Sequence, residues 1–170
     1  MELILPRSDY YASYREAIEE CKQEHLNEMG YLDMDEESTF LTIENYRKGR
    51  NLPEGYVPAT YLWLVDDGEF IGELNIRHEL TEALLKFGGN IGYWVRPSRW
   101  NQGMGTEMLR QSLAYIKEHL GLPKVLITCN DDNIGSRRVI EKNDGKLQDT
   151  VRNVIDGEER MTRRYWIQIQ

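Results

Sequence analysis

The sequence predicts a single α/β domain with a mixed sheet over residues 1–170. Two observations lead to this prediction. Apolar residues follow a helical spacing in the first third of the chain, and from Thr60 onward most of them follow the period of strands. The strands and helices do not alternate regularly, which argues against a doubly wound fold. A chain of 170 residues has the size of one domain and can bury about 70% of its unfolded surface.

The first third of the chain predicts two helices, in residues 10–30 and 35–50. Gly30 and Gly49 end the two stretches, since glycine commonly follows the last helical residue. The apolar positions at helical spacing are Tyr14, Ile18, Cys21 and His25 in the first stretch, and Phe40, Ile43 and Tyr46 in the second.

Two hairpins are predicted, one in residues 60–78 and one in the tail at 146–169. Their turns lie at Asp66–Gly68 and Asp156–Gly157, where the Asp-Gly step favours a tight reversal. The pattern of the connector 81–89 predicts neither a helix nor a strand. The segment NIGYWVRP that follows predicts a further strand that ends at Pro97.

A strand, a helix, a strand and a helix follow one another before the second hairpin. Residues 124–130, KVLITCN, are almost continuously apolar, as expected of a strand that is covered on both faces, and Ile134–Asn143 predict the second of these helices. The stripe that predicts the first helix consists of Leu109, Leu113, Ile116 and Leu120, and Gly121 ends it.

Composition argues against several classes of function. The net charge is −8, from 21 basic and 29 acidic residues, and no basic cluster indicates binding to nucleic acid. No apolar window is long enough to span a membrane. Cys21 and Cys129 lie far apart and neither belongs to a cluster of cysteines and histidines, so we expect neither disulfides nor a metal site. We expect an unprocessed, cytoplasmic protein. The acidic surplus serves either solubility or the attraction of a cationic substrate.

Residues 90–113 contain a glycine loop between a strand and a helix. Gln102-Gly103-Met104-Gly105-Thr106 open the helix, and the first N–H groups of a helix have no partners within it. Glycine lets the backbone approach an anion closely, and the helix dipole favours the negative charge. The loop lacks the Gly-Lys-Ser/Thr ending of a Walker loop and the spacing of a dinucleotide fingerprint. A diphosphate site and a plain tight turn remain as alternatives.

The run V-R-P-S-x-x-x-x-G-x-G-T resembles the acetyl-coenzyme A loop of the GNAT superfamily of N-acetyltransferases. A second block, LITCNDDNIGSRRVIEKNDGK, resembles that superfamily's second cofactor motif, an asparagine, a serine or alanine three residues on, a helix and a glycine. Residues 60–170 carry the resemblance, and several stretches are similar to a subgroup of bacterial predicted acetyltransferases. It implies a mixed, mostly antiparallel twisted sheet flanked by about four helices, with splayed central strands that hold the cofactor.

The resemblance also implies which residues bind acetyl-coenzyme A as a co-substrate. The diphosphate is expected on the backbone N–H groups of Gln102, Gly103, Met104, Gly105 and Thr106. The pantetheine arm is expected to pair with the backbone of Trp94, Val95 and Arg96 on one side, with Asn133 and the neighbouring Ser136 on the other.

Two positions depart from the family pattern. The family usually has glutamine or arginine three residues before the first loop glycine, where this chain has Trp100, and Arg99 is a candidate replacement for the charge. The tyrosine that often serves as the family's acid, seven residues after the motif asparagine, is Ile140 here. Because a thiolate leaves tolerably without a proton, the chemistry tolerates the loss of this acid.

Candidate bases lie on the strand EFIGELNIRH. Alternation places Glu73, Asn75 and Arg77 on one face. Either this face is solvated or self-paired, for instance by Glu73 with Arg77, or it forms a substrate groove in which Glu73 accepts the amine proton, directly or through water. His78 follows at the strand end and is either a structural residue or a base that titrates near neutral pH. His25 and His119 are expected on helices, as structural or surface residues.

Four further residues have two interpretations each. Tyr93 either donates a proton to the leaving thiolate or is a buried, hydrogen-bonded tyrosine. Cys129 is either an acyl relay or a small buried hydrophobe. Arg137 and Arg138 either reach the adenosine-side phosphate or are solvated charges on a helix.

The sequence therefore predicts a cytoplasmic N-acetyltransferase that transfers the acetyl group of acetyl-coenzyme A to a primary amine of a small molecule or peptide by direct attack. Two alternatives stay open: a non-catalytic acyl-coenzyme A-binding sensor or assembly module of the same fold, and a loop that holds another phosphate ligand. The resemblance to the family also leads us to expect a homodimer. We expect no binding to nucleic acid, to a membrane or to a metal ion.

Overall fold

The computed structural model describes residues 1–27 and 29–170. One seven-stranded sheet carries helices on both faces, with strand order β1-β2-β3-β4-β5-β7-β6. The strands are β1 Glu2–Ile4, β2 Ala59–Asp66, β3 Glu69–Arg77, β4 Ile91–Val95, β5 Lys124–Asn130, β6 Lys146–Ile155 and β7 Glu158–Gln168. The helices are α1 Tyr11–Gln23, α2 Glu36–Lys48, α3 Glu82–Lys86, α4 Met104–Tyr115 with a wider π-type turn at Ile116–Leu120, and α5 Ile134–Lys142.

The predicted architecture is confirmed, with two elements added. All neighbouring strands are antiparallel except β4 and β5, which run parallel. The added strand β1 has only three residues and pairs with β2, so it leaves almost no pattern in the sequence. The added helix α3 lies in the connector 81–89, where the Thr81 hydroxyl accepts a hydrogen bond from Leu84 N and caps the helix. None of the helices in the described chain has the length and hydrophobicity needed to cross a membrane.

The predicted end of the first helix is wrong. Helix α1 stops at Gln23 because His25 adopts a left-handed conformation with φ 58°. Leu26 N donates to Cys21 O at 2.8 Å and His25 N donates to Lys22 O at 3.0 Å, which is the pair of bonds that closes a helix at a left-handed residue. His25 is therefore not on a helix. Glu28, within the predicted run, lies outside the described residues.

The second helix begins and ends where the sequence predicts. The Asp35 carboxylate accepts hydrogen bonds from Ser38 N at 2.9 Å and from the Ser38 hydroxyl at 2.8 Å, which caps the first turn. Gly49 follows the helix in the left-handed conformation.

The two faces of the sheet carry two separate apolar clusters. One packs against α4 and α5 and contains Leu74, Ile91, Ile127 and Ile140. The other packs against α1 and α2 and is largely aromatic, with Tyr14, Trp63, Phe70 and Trp94 among its members. We refer to these as the α4/α5 face and the α1/α2 face. The strand β5 is buried on both sides, as predicted.

An ion cluster holds the end of β4 against α1. The guanidinium of Arg96, 4% exposed, pairs with Glu20 and, at 2.8 Å, with Glu69. Glu20 also accepts hydrogen bonds from the amide and the hydroxyl of Ser98, at 3.2 and 2.8 Å. The segment that leads from β4 to the glycine loop is thereby fixed to helix α1.

Replacing Arg96 with methionine is expected to lower the free energy of unfolding by about 3 kcal/mol, because two carboxylates lose their shared buried partner. Denaturant unfolding measures the change as a shift of the midpoint at constant slope. The matched control is Arg99→Met, since Arg99 pairs with the same Glu69 but is far more exposed. Equal losses in the two variants would contradict the assignment.

Candidate active site

The head of α4 offers unpaired amides to an anion. Gly103 precedes the helix with φ 80°, a left-handed conformation that favours glycine, and no side chain caps the helix. Backbone bonding within the helix begins with Glu107 N, which donates to Gly103 O at 3.1 Å. The amides of Met104, Gly105 and Thr106 come before that bond and lie at the positive end of the helix dipole. This arrangement fits a diphosphate.

Gly105 lets this helix head lie close to its neighbours. A Cβ atom at Gly105 would come within 3.2 Å of Val139 Cγ2 on α5, and within 3.8 Å of Val95 Cγ2 and 3.9 Å of Tyr93 Cε2 on β4. The head of α4 therefore packs against the C-terminal half of α5 over β4, on the α4/α5 face.

A gap opens between β4 and β5 next to this helix head. The two strands are in register at a single pair, Ile91 with Ile127, and beyond it they separate. Arg96 N donates to Ile71 O of β3 at 2.9 Å. Since backbone groups alternate between the two edges of a strand, those of Arg96 and Trp94 face β3 and those of Val95 and Tyr93 face the gap.

The predicted backbone partners of the pantetheine arm thus need a correction. Of Trp94, Val95 and Arg96, only Val95 turns its polar groups to the gap, and its carbonyl already accepts a hydrogen bond from Trp100 Nε1 at 2.7 Å. Trp100, which stands in place of the family's glutamine or arginine, is therefore anchored to β4. The side chain of Arg96 belongs to the ion cluster described above.

The second motif lies at the head of α5, on the other side of the gap. The Asn133 side-chain oxygen accepts a hydrogen bond from Ser136 N at 3.0 Å and so caps the helix. The side-chain NH₂ of Asn133 makes no hydrogen bond within the described chain, and it is exposed. This amide can donate to a ligand in the gap.

The Tyr93 hydroxyl lies on the α4/α5 face, where Ser136 is a polar neighbour. The oxygen is buried, and no hydrogen bond to it has good geometry within the described residues. Burial raises the pKa of Tyr93 to about 12, and the serine only partly offsets that shift. The phenol is therefore protonated at neutral pH and can donate.

Glu73 lies on the α1/α2 face inside a cage of indoles. Its two carboxyl oxygens accept hydrogen bonds from Trp63 Nε1 at 2.8 Å and from Trp94 Nε1 at 3.3 Å, and the residue is 1% exposed. Burial raises the pKa of Glu73 from 4.5 to about 7, and the two indoles lower it by less. The suggested pair of Glu73 with Arg77 is wrong, because Arg77 donates to the carbonyls of Gly88 and Gly89 instead.

A cavity of about 270 Å³ opens beside Asn75 on the same face. We call it the tyrosine cavity; it is lined by Tyr46, Tyr56, Tyr61, Asn75, Arg77 and residues of the α3 segment. Asn75 stands opposite Gly92 in the β3–β4 register, and a Cβ at Gly92 would lie 3.3 Å from the Asn75 amide atoms. Asn75, which lines the tyrosine cavity, therefore borders β4 next to the point where β4 leaves β5.

The structure separates His78 from this cavity. His78 Nε2 lies 2.8 Å from the Thr60 hydroxyl, and His78 is not among the residues that line the tyrosine cavity. Burial lowers the pKa of His78 below its ordinary value, with a smaller opposing effect from Glu79. These features agree with the structural interpretation. His119 lies in the π-type turn, exposed.

The remaining candidate residues have structural roles, except Arg137, to which no role is assigned. Burial raises the pKa of Cys129 to about 11, which keeps it a thiol and favours the small-hydrophobe interpretation. Arg99 is paired with Glu69 and lies in the ion cluster. Arg137 donates weakly to Asp131 O at 3.4 Å, and its buried Nε has no partner among the described residues. Ile140 is fully buried in the α4/α5 cluster.

The comparisons with known proteins agree with this geometry. The family model of the acetyltransferase (GNAT) domain matches residues 8–146. No curated protein matches the sequence. Among solved structures, RimJ of Mycobacterium smegmatis in complex with a coenzyme A disulfide is 22% identical, with a TM-score of 0.69 over 98% of this chain and 80% of that one.

Two structures from Salmonella typhimurium are similar over nearly the whole length. The acetyl transferase that modifies the N-terminal serine of ribosomal protein L7/L12 is 18% identical, with a TM-score of 0.71 over 99% of this chain and 94% of that one. YncA with acetyl-coenzyme A is 11% identical, with a TM-score of 0.70 over 99% of this chain and 94% of that one. At these identities the structures support the shared fold.

The family model covers most of the chain, and the fold and the helix-head site agree with it. The chain belongs to the GNAT family of acetyltransferases, enzymes that transfer an acetyl group from acetyl-coenzyme A to an amine.

Proposed function

We propose that this protein acetylates a primary amine of a small molecule or peptide by direct attack on the thioester of acetyl-coenzyme A. The observation that carries the proposal is the gap between β4 and β5. An uncapped helix head lies beside it on the α4/α5 face, and the tyrosine cavity approaches it from the α1/α2 face. The co-substrate and the amine can thus meet from opposite sides of the sheet.

On the co-substrate side, we assign the diphosphate to the backbone amides of residues 102–106. The pantetheine arm then extends along the free edge of β4, where the amide of Val95 and the backbone groups of Tyr93 face the gap, and the Asn133 amide and Ser136 lie across the gap. The arm thus pairs with β4 in the way that β5 does not beyond Ile127.

The reaction needs a donor for the oxygen of the thioester as the amine attacks. The backbone N–H of Tyr93 faces the gap and is the donor that we assign to the developing negative charge. The carbon–sulfur bond then breaks, and the thiolate takes the proton of the Tyr93 hydroxyl. Tyr93 therefore takes the role that the family often gives to the tyrosine at the position of Ile140.

The attacking amine must lose a proton, and Glu73 is the group that we assign to accept it through water. Glu73 lies two residues from Asn75 on the same face of β3, and its pKa of about 7 suits a base at neutral pH. Its oxygens are enclosed by indoles, so direct contact with the amine is not part of the proposal.

We also propose a bacterial cytoplasmic location, supported by two free, buried cysteines that suit a reducing compartment. The homodimer that the resemblance to the family leads us to expect stays a prediction. Light scattering of the purified protein measures the oligomeric state that tests it.

The direct test of the function is to incubate the protein with acetyl-coenzyme A and a panel of amines and to measure free thiol. We expect release above the rate of hydrolysis for at least one class of amine. Binding of coenzyme A with no release for any amine would contradict catalysis and favour an acyl-coenzyme A-binding module.

Tyr93→Phe is expected to lower kcat by about ten- to a hundredfold, with little change in the KM for acetyl-coenzyme A, because the leaving thiolate loses its donor. Steady-state kinetics measure both constants. The matched control is Tyr165→Phe, which removes a hydroxyl bonded to Glu141 at 2.9 Å, outside the proposed site. Equal kcat in Tyr93→Phe and wild type would remove the Tyr93 hydroxyl from the mechanism.

Glu73→Gln is expected to abolish a step in kcat/KM that rises with pH through about 7, because only the ionised carboxylate accepts the proton. Profiles of rate against pH for wild type, Glu73→Gln and His78→Gln measure this step, and we expect His78→Gln to retain it. A step that persists in Glu73→Gln would assign it to another group.

The same variant tests the pKa of Glu73 through stability. The folded-state pKa lies above the unfolded value of 4.5, so the folded state binds more protons between pH 4.5 and about 7. The contribution of Glu73 to the free energy of unfolding is therefore lost as the pH rises through this window, by about 3 kcal/mol in total. Over this pH range, the free energy of unfolding of wild type should fall relative to that of Glu73→Gln. The same dependence on pH in both proteins would contradict the raised pKa.

A further inference from the structure

The tyrosine cavity contains one charged side chain, and that charge is positive. Of the described residues that line the cavity, Arg77 alone is ionised. No carboxylate lies within ion-pair distance of Arg77 in the described chain, although the protein has 29 acidic residues and a net charge of −8. Arg96, which is buried, has two carboxylates. Among the described residues, Arg96 thus has counter-charges, and Arg77 has none within ion-pair distance.

The surroundings of Arg77 are costly for an isolated charge. Burial lowers the pKa of Arg77, and the neighbouring tyrosines Tyr61, Tyr56 and Tyr46 only partly offset this. Nη1 donates to the carbonyls of Gly88 and Gly89 at 2.9 and 3.1 Å, which fixes the direction of the guanidinium. The remaining N–H groups have no protein acceptor within the described chain. A cation held in this way favours an anion from solution.

The size and the single charge of the cavity select the kind of anion. At about 270 Å³ the cavity is smaller than the 300–1,000 Å³ that is usual for drug-sized ligands. One guanidinium matches the single charge and the two oxygens of a carboxylate. A phosphate dianion would bring a second charge, and no other cation lines the cavity to balance it.

A second orphan group lies between Arg77 and the gap. The side-chain oxygen of Asn75 is buried and has no hydrogen-bond partner in the described chain. An amide oxygen accepts hydrogen bonds from an amine. Residues two apart on a strand are separated by about 6.6 Å, so Asn75 and Arg77 together suit a ligand whose amine and carboxylate are a few bonds apart.

Gly92 brings such a ligand next to the reaction site. A Cβ at Gly92 would lie 3.3 Å from the Asn75 amide atoms and 3.5 Å from Arg77 Nη2. Gly92 is the first residue of β4 after Ile91, the last residue that pairs with β5. An amine held on Asn75 therefore lies where the two strands begin to separate.

We propose that the acetyl acceptor is a small amine that carries a carboxylate, of the amino-acid class, with its carboxylate on Arg77 and its amine on the Asn75 side-chain oxygen. This inference rests on the proposed function, since it specifies the acceptor. The amine nitrogen forms a bond to the acetyl carbon, the carbon–sulfur bond breaks, the amine proton passes to cavity water, and the thiolate receives a proton. The product is an N-acetyl amide that retains the carboxylate.

The test compares amino acids with their carboxamides, which have the same size without the negative charge, by thiol release. Wild type is expected to prefer the amino acid by about ten- to a hundredfold in kcat/KM, the range of a charge-assisted hydrogen bond. Arg77→Gln should reduce this preference to near unity, mainly through KM, and Arg77→Lys should give an intermediate value. Arg50→Gln, an exposed arginine outside the cavity, is the matched control and should keep the wild-type preference.

A binding measurement separates this inference from the proposed function. N-acetyl amino acids and their amides, which cannot react, are titrated into wild type and Arg77→Gln by calorimetry, and thermal unfolding verifies that the variant is folded. Carboxylate binding that depends on Arg77 without any turnover would contradict the proposed function and, with it, the role of the ligand as acetyl acceptor, while it would support Arg77 as the carboxylate site.

Three outcomes would overturn the inference. The first is acetyl transfer with equal kcat/KM for amino acids and carboxamides. The second is carboxylate binding that is the same in wild type and Arg77→Gln, or absent from both. The third is a preference for aminoalkyl phosphonates over amino acids, which would assign the cavity to a phosphate-like group.

Discussion

The separation of β4 from β5 beyond Ile91 is the constraint on which the site depends. Before they separate, the two strands come close at Gly89. A Cβ atom there would lie 2.4 Å from Leu126 O on β5, and the φ of 60° at Gly89 is left-handed. After the single pair of Ile91 with Ile127, no strand of the described chain lies beside this edge of β4. An unpaired strand edge inside a domain needs hydrogen-bond partners, and an amide-containing arm supplies them.

The two faces of the sheet then have different chemistry at the same place. On the α4/α5 face, helix heads and the Tyr93 hydroxyl surround the gap with donors. On the α1/α2 face, aromatic rings enclose Glu73, and Asn75 and Arg77 line an open cavity. Because β4 contributes side chains to both faces, the contacts that hold β4 in place also position both halves of the site. The ion cluster around Arg96 does this by joining the end of β4 to α1.

Much of the fold was predictable because its signals are local. The cap at Asp35, the left-handed Gly49 and the two Asp-Gly turns are read from adjacent residues. The end of α1 was not, because histidine rather than glycine takes the left-handed position. The glycine loop was predictable for the same local reason, whereas the direction of each backbone group on β4 depends on its pairing with β3.

The tyrosine cavity had no signal in the sequence. Its walls come from α2, from the loop before β2, from β2 and β3 and from the α3 segment, and its tyrosines are spaced without a period. Alternation on β3 correctly placed Glu73, Asn75 and Arg77 on one face. It could not show that Glu73 is enclosed by indoles while Arg77 lacks a counter-ion, since those facts depend on residues from other strands.

The most direct measurement of the central claim, that amine and thioester meet across β4, is the activity of a Gly92→Val variant. Gly92 has no left-handed φ, so the new side chain adds bulk on the acceptor side of β4, against Asn75 and Arg77, without requiring an unfavourable backbone conformation. The account predicts unchanged affinity for coenzyme A and a loss of acetyl transfer of about a hundredfold. Full transfer activity in a variant with normal coenzyme A affinity would contradict it.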